Sequence, residues 1–334
     1  MANLEQELDE KKMLVRVLAY GPAKTKKTWW AAKAAESNFN VILLDGDDGW
    51  HILKNIDKQY QKRISVIRMV DTHKSAAFCK GMTTLLKEYK LVWDEVKKQS
   101  SKLQPNANCI YLNFETLTRN DVVIVDSWTA LTYSLMFQFA MENDIDISDA
   151  NKVEWDGYGW AGRIATWMIN QLQALPCHVI VIGHRTIYEK RSKDGKTVES
   201  QRQQLASTSG NHAATMPGKF SDILTFSIKG ASYKIDTSGD YDRDGGSRLF
   251  PPKIYNWEEL QFKDLILAAG NVLPDVTNPY IDIKTQFSNV AVGQIPITAT
   301  KPLPIVAPTK LITGGTVNAN LKNLTNLIKP KLKL

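Results

Sequence analysis

Cysteine is scarce, with three residues in 334, at Cys79, Cys109 and Cys177, and no paired spacing among them. This excludes a disulfide framework and a thiolate metal centre, and the expectation is three reduced, buried thiols in a cytoplasmic protein. Long apolar runs are missing as well. No stretch approaches the ~20 residues that cross a bilayer, so no membrane partner is expected. The first residues, Met1-Ala2-Asn3-Leu4-Glu5-Gln6-Glu7, are acidic and lack an apolar h-region, so no secretory signal is expected. Acid is missing from the other end. From Lys284 to Leu334 there are seven lysines and no Asp, Glu or Arg. The formal charge of +7 sits wholly in that segment, because the remaining 35 basic residues equal the 35 acidic ones. The basic balance therefore describes a tail more than a face of the folded body.

What is present is an ordinary globular composition, 43% hydrophobic, in a chain long enough for a large α/β core. Undiluted apolar runs of strand type occur at 14–20, Val41–Leu44, Ile64–Met69, Val122–Asp126 and Val179–His184. Helix-prone segments separate them: 29–37, a long one over Ser75–Gln99, 129–142 and 160–174. Strands buried on both faces and alternating with helices predict a mainly parallel sheet between helical layers. A polar stretch, Arg185–Lys219, reads as a long functional loop. Further strands are expected at 223–228, 232–235 and 247–250, with a last helix over 257–269. Beyond about Asn271, prolines at 274, 279, 296, 302, 304 and 308 break any period. The organisation expected is an N-terminal arm at 1–13, a core at 14–270 and an extended basic tail at 271–334. That tail is open to nucleic acid, a partner protein or an anionic surface, or to a merely solubilising role.

The chain is organised around Gly21-Pro22-Ala23-Lys24-Thr25-Lys26-Lys27-Thr28, which follows the first strand and opens a helix. This is the context of the phosphate-binding pattern G-x-x-x-x-G-K-[ST]. Backbone N–H groups of 21–27 would cradle phosphates, Lys27 would reach the β- and γ-phosphates of ATP, and Thr28 would place its hydroxyl on Mg²⁺. The second glycine of the pattern is replaced by Lys26. A lysine there can point outward and be tolerated, add charge near the phosphates, or impair binding. Asp126 closes the fourth buried strand as a Mg²⁺-orienting carboxylate should. Asp47, in Asp45-Gly46-Asp47-Asp48 after the second strand, is a candidate to position water. That strand is expected beside the P-loop strand. His184 ends the fifth strand at the same carboxyl edge.

With these stretches the chain resembles the RecA-type ATPase core, and most closely the phage RecA-like single-strand annealing recombinases of the Sak type. Gly21–Thr28, Val41–Asp48, Asp121–Leu131, Val179–His184 and Pro217-Gly218-Lys219 carry the resemblance. It implies Asp47 as counterpart of a catalytic carboxylate that is commonly Glu, and His184 as the polar residue that senses the γ-phosphate. It implies Arg185–Pro217 as a loop on single-stranded DNA, and Lys219 as a finger to ATP in a neighbouring subunit of a ring or filament. Within that loop Arg185, Lys190, Arg191, Lys193, Lys196 and Arg202 supply cations for phosphate contacts, and Tyr188 can stack on a base. The acids Glu189, Asp194 and Glu199 dilute that charge. Trp155, Trp160 and Trp167 read as core packing or a subunit interface. The expected function is an ATP- and Mg²⁺-dependent single-stranded-DNA recombinase or annealing protein. Its rivals are a RecA-fold helicase or helicase loader, and a nucleotide-binding adaptor with little hydrolysis, which Lys26 favours.

Overall fold

The computed structural model describes residues 13–100, 109–146, 155–192, 198–207, 210–239 and 245–281. Expectations for residues 1–12, 147–154, Lys193 and 282–334 lie outside these.

The centre is a sheet in which β10 (Asp222–Lys229), β1 (Arg16–Gly21), β8 (His178–Arg191), β7 (Asp121–Asp126), β2 (Asn40–Asp45) and β3 (Ile64–Arg68) lie side by side in that order. All five contacts along this row are parallel. The expected α/β architecture is therefore present. Alternation along each strand feeds two cores, one on each face. Leu18, Tyr20, Ile42, Leu44, Val123, Val125, Val179 and Val181 pack with α2 (Ala77–Glu88), α3 (Trp128–Glu142) and α4 (Trp155–Ala174). Val17, Ala19, Val41, Leu43, Val122, Ile124, Ile180 and Ile182 pack with α1 (Lys27–Ala32) and α6 (Phe262–Ala268). The helix α5 (Gly210–Thr215) lies between these last two in sequence. Strands β11 (Ser232–Asp236) and β13 (Ile254–Asn256) extend the β10 side antiparallel, and β12 (Gly246–Ser247) pairs β10. The three cysteines are buried free thiols.

Several expectations are corrected. The helix read over Ser75–Gln99 ends at Glu88. Tyr89 takes a left-handed conformation (φ 53°), and the chain turns into β4 (Lys90–Asp94). Leu91 and Trp93 are buried there, opposite Leu112 and Ile110 of β6 (Cys109–Asn113), and β5 (Gln99–Ser100) completes this small sheet. Val92 and Val96 extend the helical spacing past Tyr89, but Val96 is 71% exposed and marks no helix face. The helix expected over 29–37 is α1 followed by a 3₁₀ turn, Lys33–Ser37. The second strand does not neighbour the P-loop strand, because β8 and β7 lie between them.

The polar stretch after His184 is not a structureless loop. β8 runs on to Arg191 and pairs antiparallel with β9 (Val198–Leu205), a two-stranded ribbon whose backbone polar groups satisfy one another. Lastly, residues 271–281 run across the amino ends of β7, β2 and β3. Arg63 donates to the carbonyls of Val276 and Asn278, both at 3.0 Å. Asn38 and Asn40 donate to those of Pro274 and Pro279.

Candidate nucleotide site

Register brings four strand ends to one edge. Gly21 lies opposite His184, Asp126 opposite Ile182, and Asp45 opposite Asp126. Strand β1 must end in glycine, since a Cβ at Gly21 would collide with the Phe226 carbonyl of β10. The loop then turns through Lys24 (φ 63°) and Lys26 (φ 64°) into α1. The ammonium of Lys27 is buried and donates to the carbonyls of Gly21 (3.1 Å) and Pro22 (2.8 Å) and to Thr25 Oγ1 (3.4 Å). Burial lowers its pKa to about 8, against the opposing pull of Asp126 and Asp47. Pro22 is half-buried, Ala23 and Lys24 are exposed, and Thr25 is buried with its hydroxyl on the Pro22 carbonyl. The Lys26 side chain points away from this loop, with its Nζ 4.1 Å from the centre of the Tyr233 ring.

Thr28 Oγ1 donates to Asp126 Oδ2 at 2.6 Å, across the gap between α1 and β7. Asp126 is 4% exposed, and burial pushes its pKa up to about 7 although Thr28 donates to it. A hydroxyl and a carboxylate are hard oxygen donors of the kind Mg²⁺ takes, with phosphates and water completing its shell. Among the described residues no group of three or more His, Cys, Asp or Glu could hold a metal unaided. The pair thus fits a cation that arrives with a phosphate ligand.

Asp47 Oδ2 lies 3.2 Å from His184 Nε2. Burial opposes its charge, but hydrogen bonds from His184 and Ser127, with the charges of His184 and Lys27, outweigh it and lower its pKa. Asp48 instead turns outward onto Arg68 at 2.6 Å. The edge therefore brings together Gly21–Thr28, Asp47, Asp126 and His184. Sequence reasoning missed two residues that hold this arrangement. Asp45, fully buried, accepts from the backbone N–H groups of Asp47 (3.1 Å), Gly49 (3.2 Å) and Trp50 (3.3 Å). Thr129 Oγ1 accepts from the His184 N–H at 3.0 Å and donates to the Ala206 carbonyl at 3.0 Å. A signal for Asp45 was available, since a carboxylate on an otherwise apolar buried strand needs donors.

The remaining residues lie elsewhere. Arg185 is half-buried and donates to Gln203 at the root of the ribbon, at 2.7 Å. Tyr188, Lys190 and Arg191 lie on β8, and exposed Arg202 on β9. Lys219 is exposed on a 3₁₀ turn, Pro217–Lys219, just before β10. The start of β10 pairs with Val17, so Lys219 sits toward the sheet end opposite the P-loop and does not join this site within one chain.

No curated protein matches the sequence. One solved structure that resembles the chain is titled "Crystal structure of the RadB recombinase". It has 14% identity and a TM-score of 0.34, and the match covers 69% of this chain and 84% of that one. A family model described as AAA domain (AAA_24) matches residues 13–249, which hold the P-loop, every strand end at the carboxyl edge and the ribbon. The chain belongs to this AAA domain family of P-loop NTPases.

Proposed function

We propose that the protein is an ATP-hydrolysing, single-stranded-DNA-binding recombinase or annealing protein of RecA type, with DNA contacts carried by the β8–β9 ribbon. The observation that supports this best is the continuity of β8. One strand closes the nucleotide site at His184 and becomes the first arm of the ribbon at Arg185. A change in the Asp47–His184 contact is thereby communicated to the ribbon without any intervening loop.

In this mechanism the P-loop backbone and Lys27 hold the triphosphate, which Lys27 neutralises as charge develops. Thr28 and Asp126 would hold Mg²⁺, which would supply charge neutralisation at the phosphates. Asp47, kept ionised by its partners, accepts a proton from the attacking water. His184 donates to Asp47 and orients it. Lys219 faces solvent and is available to ATP in a neighbouring subunit of a homo-oligomer. The ribbon places Arg185, Lys190, Arg191 and Arg202 along DNA, and the lysines after 284 add a second electrostatic contact or a partner-protein site.

Steady-state ATPase turnover with and without single-stranded DNA tests this. Turnover stimulated by DNA, abolished by Lys27→Ala and reduced about 10²-fold or more in kcat by Asp47→Asn, supports it. Absence of turnover in both conditions removes the enzymatic reading.

A further inference from the structure

Lys26 stands where a phosphate-binding loop usually has glycine, and its backbone takes the conformation glycine would take. It is left-handed (φ 64°, ψ 20°), at the residue that caps α1, and its carbonyl accepts from the Trp30 N–H at 2.9 Å. A residue with a Cβ disfavours that conformation and adopts it where the surroundings hold it there. The surroundings here are aromatic. Lys26 Nζ is 4.1 Å from the ring centre of Tyr233, 4.6 Å from Trp29 and 5.3 Å from Trp257. The two tryptophans meet at 4.6 Å, and Lys33 Nζ is also near both, 5.3 and 5.2 Å from their ring centres.

Only Trp29 belongs to the P-loop helix. Tyr233 is on β11, and Trp257 follows β13 and donates from its N–H to the Tyr233 carbonyl at 3.3 Å. The antiparallel extension beyond β10 therefore supplies two of the three rings. The Trp30 indole N–H ties the same helix to the Leu260 carbonyl at 2.7 Å. A cation over three ring faces is attracted by each quadrupole. This attraction draws the long side chain outward, to the flank of the loop where the extension packs.

We propose that Lys26 is a positioning residue of the nucleotide site: the cage of Trp29, Tyr233 and Trp257 grips its ammonium and so holds the P-loop backbone in the glycine-like conformation. The inference rests on the reading of 21–28 as a nucleotide site. It assigns the β11–β13 extension a role in ordering that site, and it accounts for a lysine at this position without loss of the loop's shape.

The test is a double-mutant cycle on the dissociation constant of a fluorescent N-methylanthraniloyl-ATP with Mg²⁺. Tyr233→Leu removes a ring face from a half-buried position, and Tyr233→Phe keeps it. The expected result is that Tyr233→Leu weakens binding about three- to ten-fold while Tyr233→Phe stays within about two-fold, the range a cation–π contact supplies. In a Lys26→Gly background Tyr233→Leu should have no further effect. Equal weakening in both backgrounds overturns the proposal, as does Tyr233→Leu binding as tightly as the parent. Amide hydrogen exchange over 21–28 without nucleotide reads the cage separately: faster exchange in Tyr233→Leu supports it, and unchanged exchange overturns it. Lys27→Ala separates the two readings. If Lys27→Ala binds the probe as the parent does, the nucleotide site itself is lost. If Lys27→Ala fails to bind and Tyr233→Leu is silent, only the cage is lost.

Discussion

Asp45 carries no chemistry of its own in the proposed reaction, yet it fixes the residue that does. Its carboxylate gathers three backbone N–H groups from the turn that presents Asp47. Burial raises its pKa, and the three donors work against that shift. Asp45→Ala leaves those N–H groups without their acceptor and frees the turn. The expected outcome is a fall in kcat of about 10- to 100-fold with a smaller change in KM, partly restored by Asp45→Asn, in steady-state kinetics. A second residue-scale prediction concerns His178, 1% exposed beneath Phe39 and Phe262, whose Nδ1 accepts from the Val15 N–H at 3.0 Å. Burial, helped by the Arg16 charge, lowers its pKa to about 3. The unfolded chain takes up a proton below about pH 6.5, and the folded chain resists it until about 3. The stability this histidine confers is thus complete above pH 6.5 and is lost as pH falls toward 3, by up to about 1.4 kcal/mol per pH unit. Denaturant unfolding at several pH values should show that slope, and His178→Gln should flatten it.

At the scale of elements, Thr129 ties the ribbon to the nucleotide edge. Thr129, at the head of α3, bonds both β8 at His184 and the end of β9 at Ala206, and the Ala206 N–H returns to the His184 carbonyl at 2.8 Å. Thr129→Val keeps the shape and removes both side-chain bonds. It should cost about 1–2 kcal/mol, a fall in Tm of a few degrees by calorimetry, and reduce the stimulation of turnover by DNA more than basal turnover. Neutralising Lys190 and Arg191 together should weaken single-stranded DNA binding and lower the salt slope by about one to two units in a titration over ionic strength. An unchanged slope would move the DNA contact off the ribbon. The ribbon is hard to read from sequence because its composition is mostly polar. Apart from buried Leu205 at its root, the ribbon packs no alternating apolar face, so period-2 patterning has little to record. The short helix α2 was overread for the converse reason, since apolar residues of the following strand happened to continue a 3–4 spacing.

At the scale of the whole molecule, residues 271–281 run across the amino ends of β7, β2 and β3. Arg63 is the anchor, 5% exposed, donating to two carbonyls of the segment, with Tyr280 over its guanidinium at 4.6 Å. A chain ending at Gly270 should therefore melt about 5 °C or more below one ending at Ile281, and Arg63→Ala should reproduce much of that loss. Thermal unfolding of the three proteins checks this. Among the described residues no helix is long and apolar enough to cross a membrane.

The sequence by itself determined the elements that periodicity and local chemistry encode. These are five buried strands, the glycine break and Lys-Thr of the P-loop, and strand-closing Asp126 and His184, because each is written within about ten consecutive residues. Strand order was not written there. Which strand lies beside β1 is settled by the packing of α1 to α4 on both faces, and it placed β8 and β7 between the P-loop and the Asp47 turn. The partners of Lys26 were equally out of reach. Tyr233 and Trp257 lie more than 200 residues away along the chain, and only the folding of β11 and β13 onto β10 brings them to one ammonium group. Local sequence thus supplied the groups of the site, and long-range packing decided which of them meet.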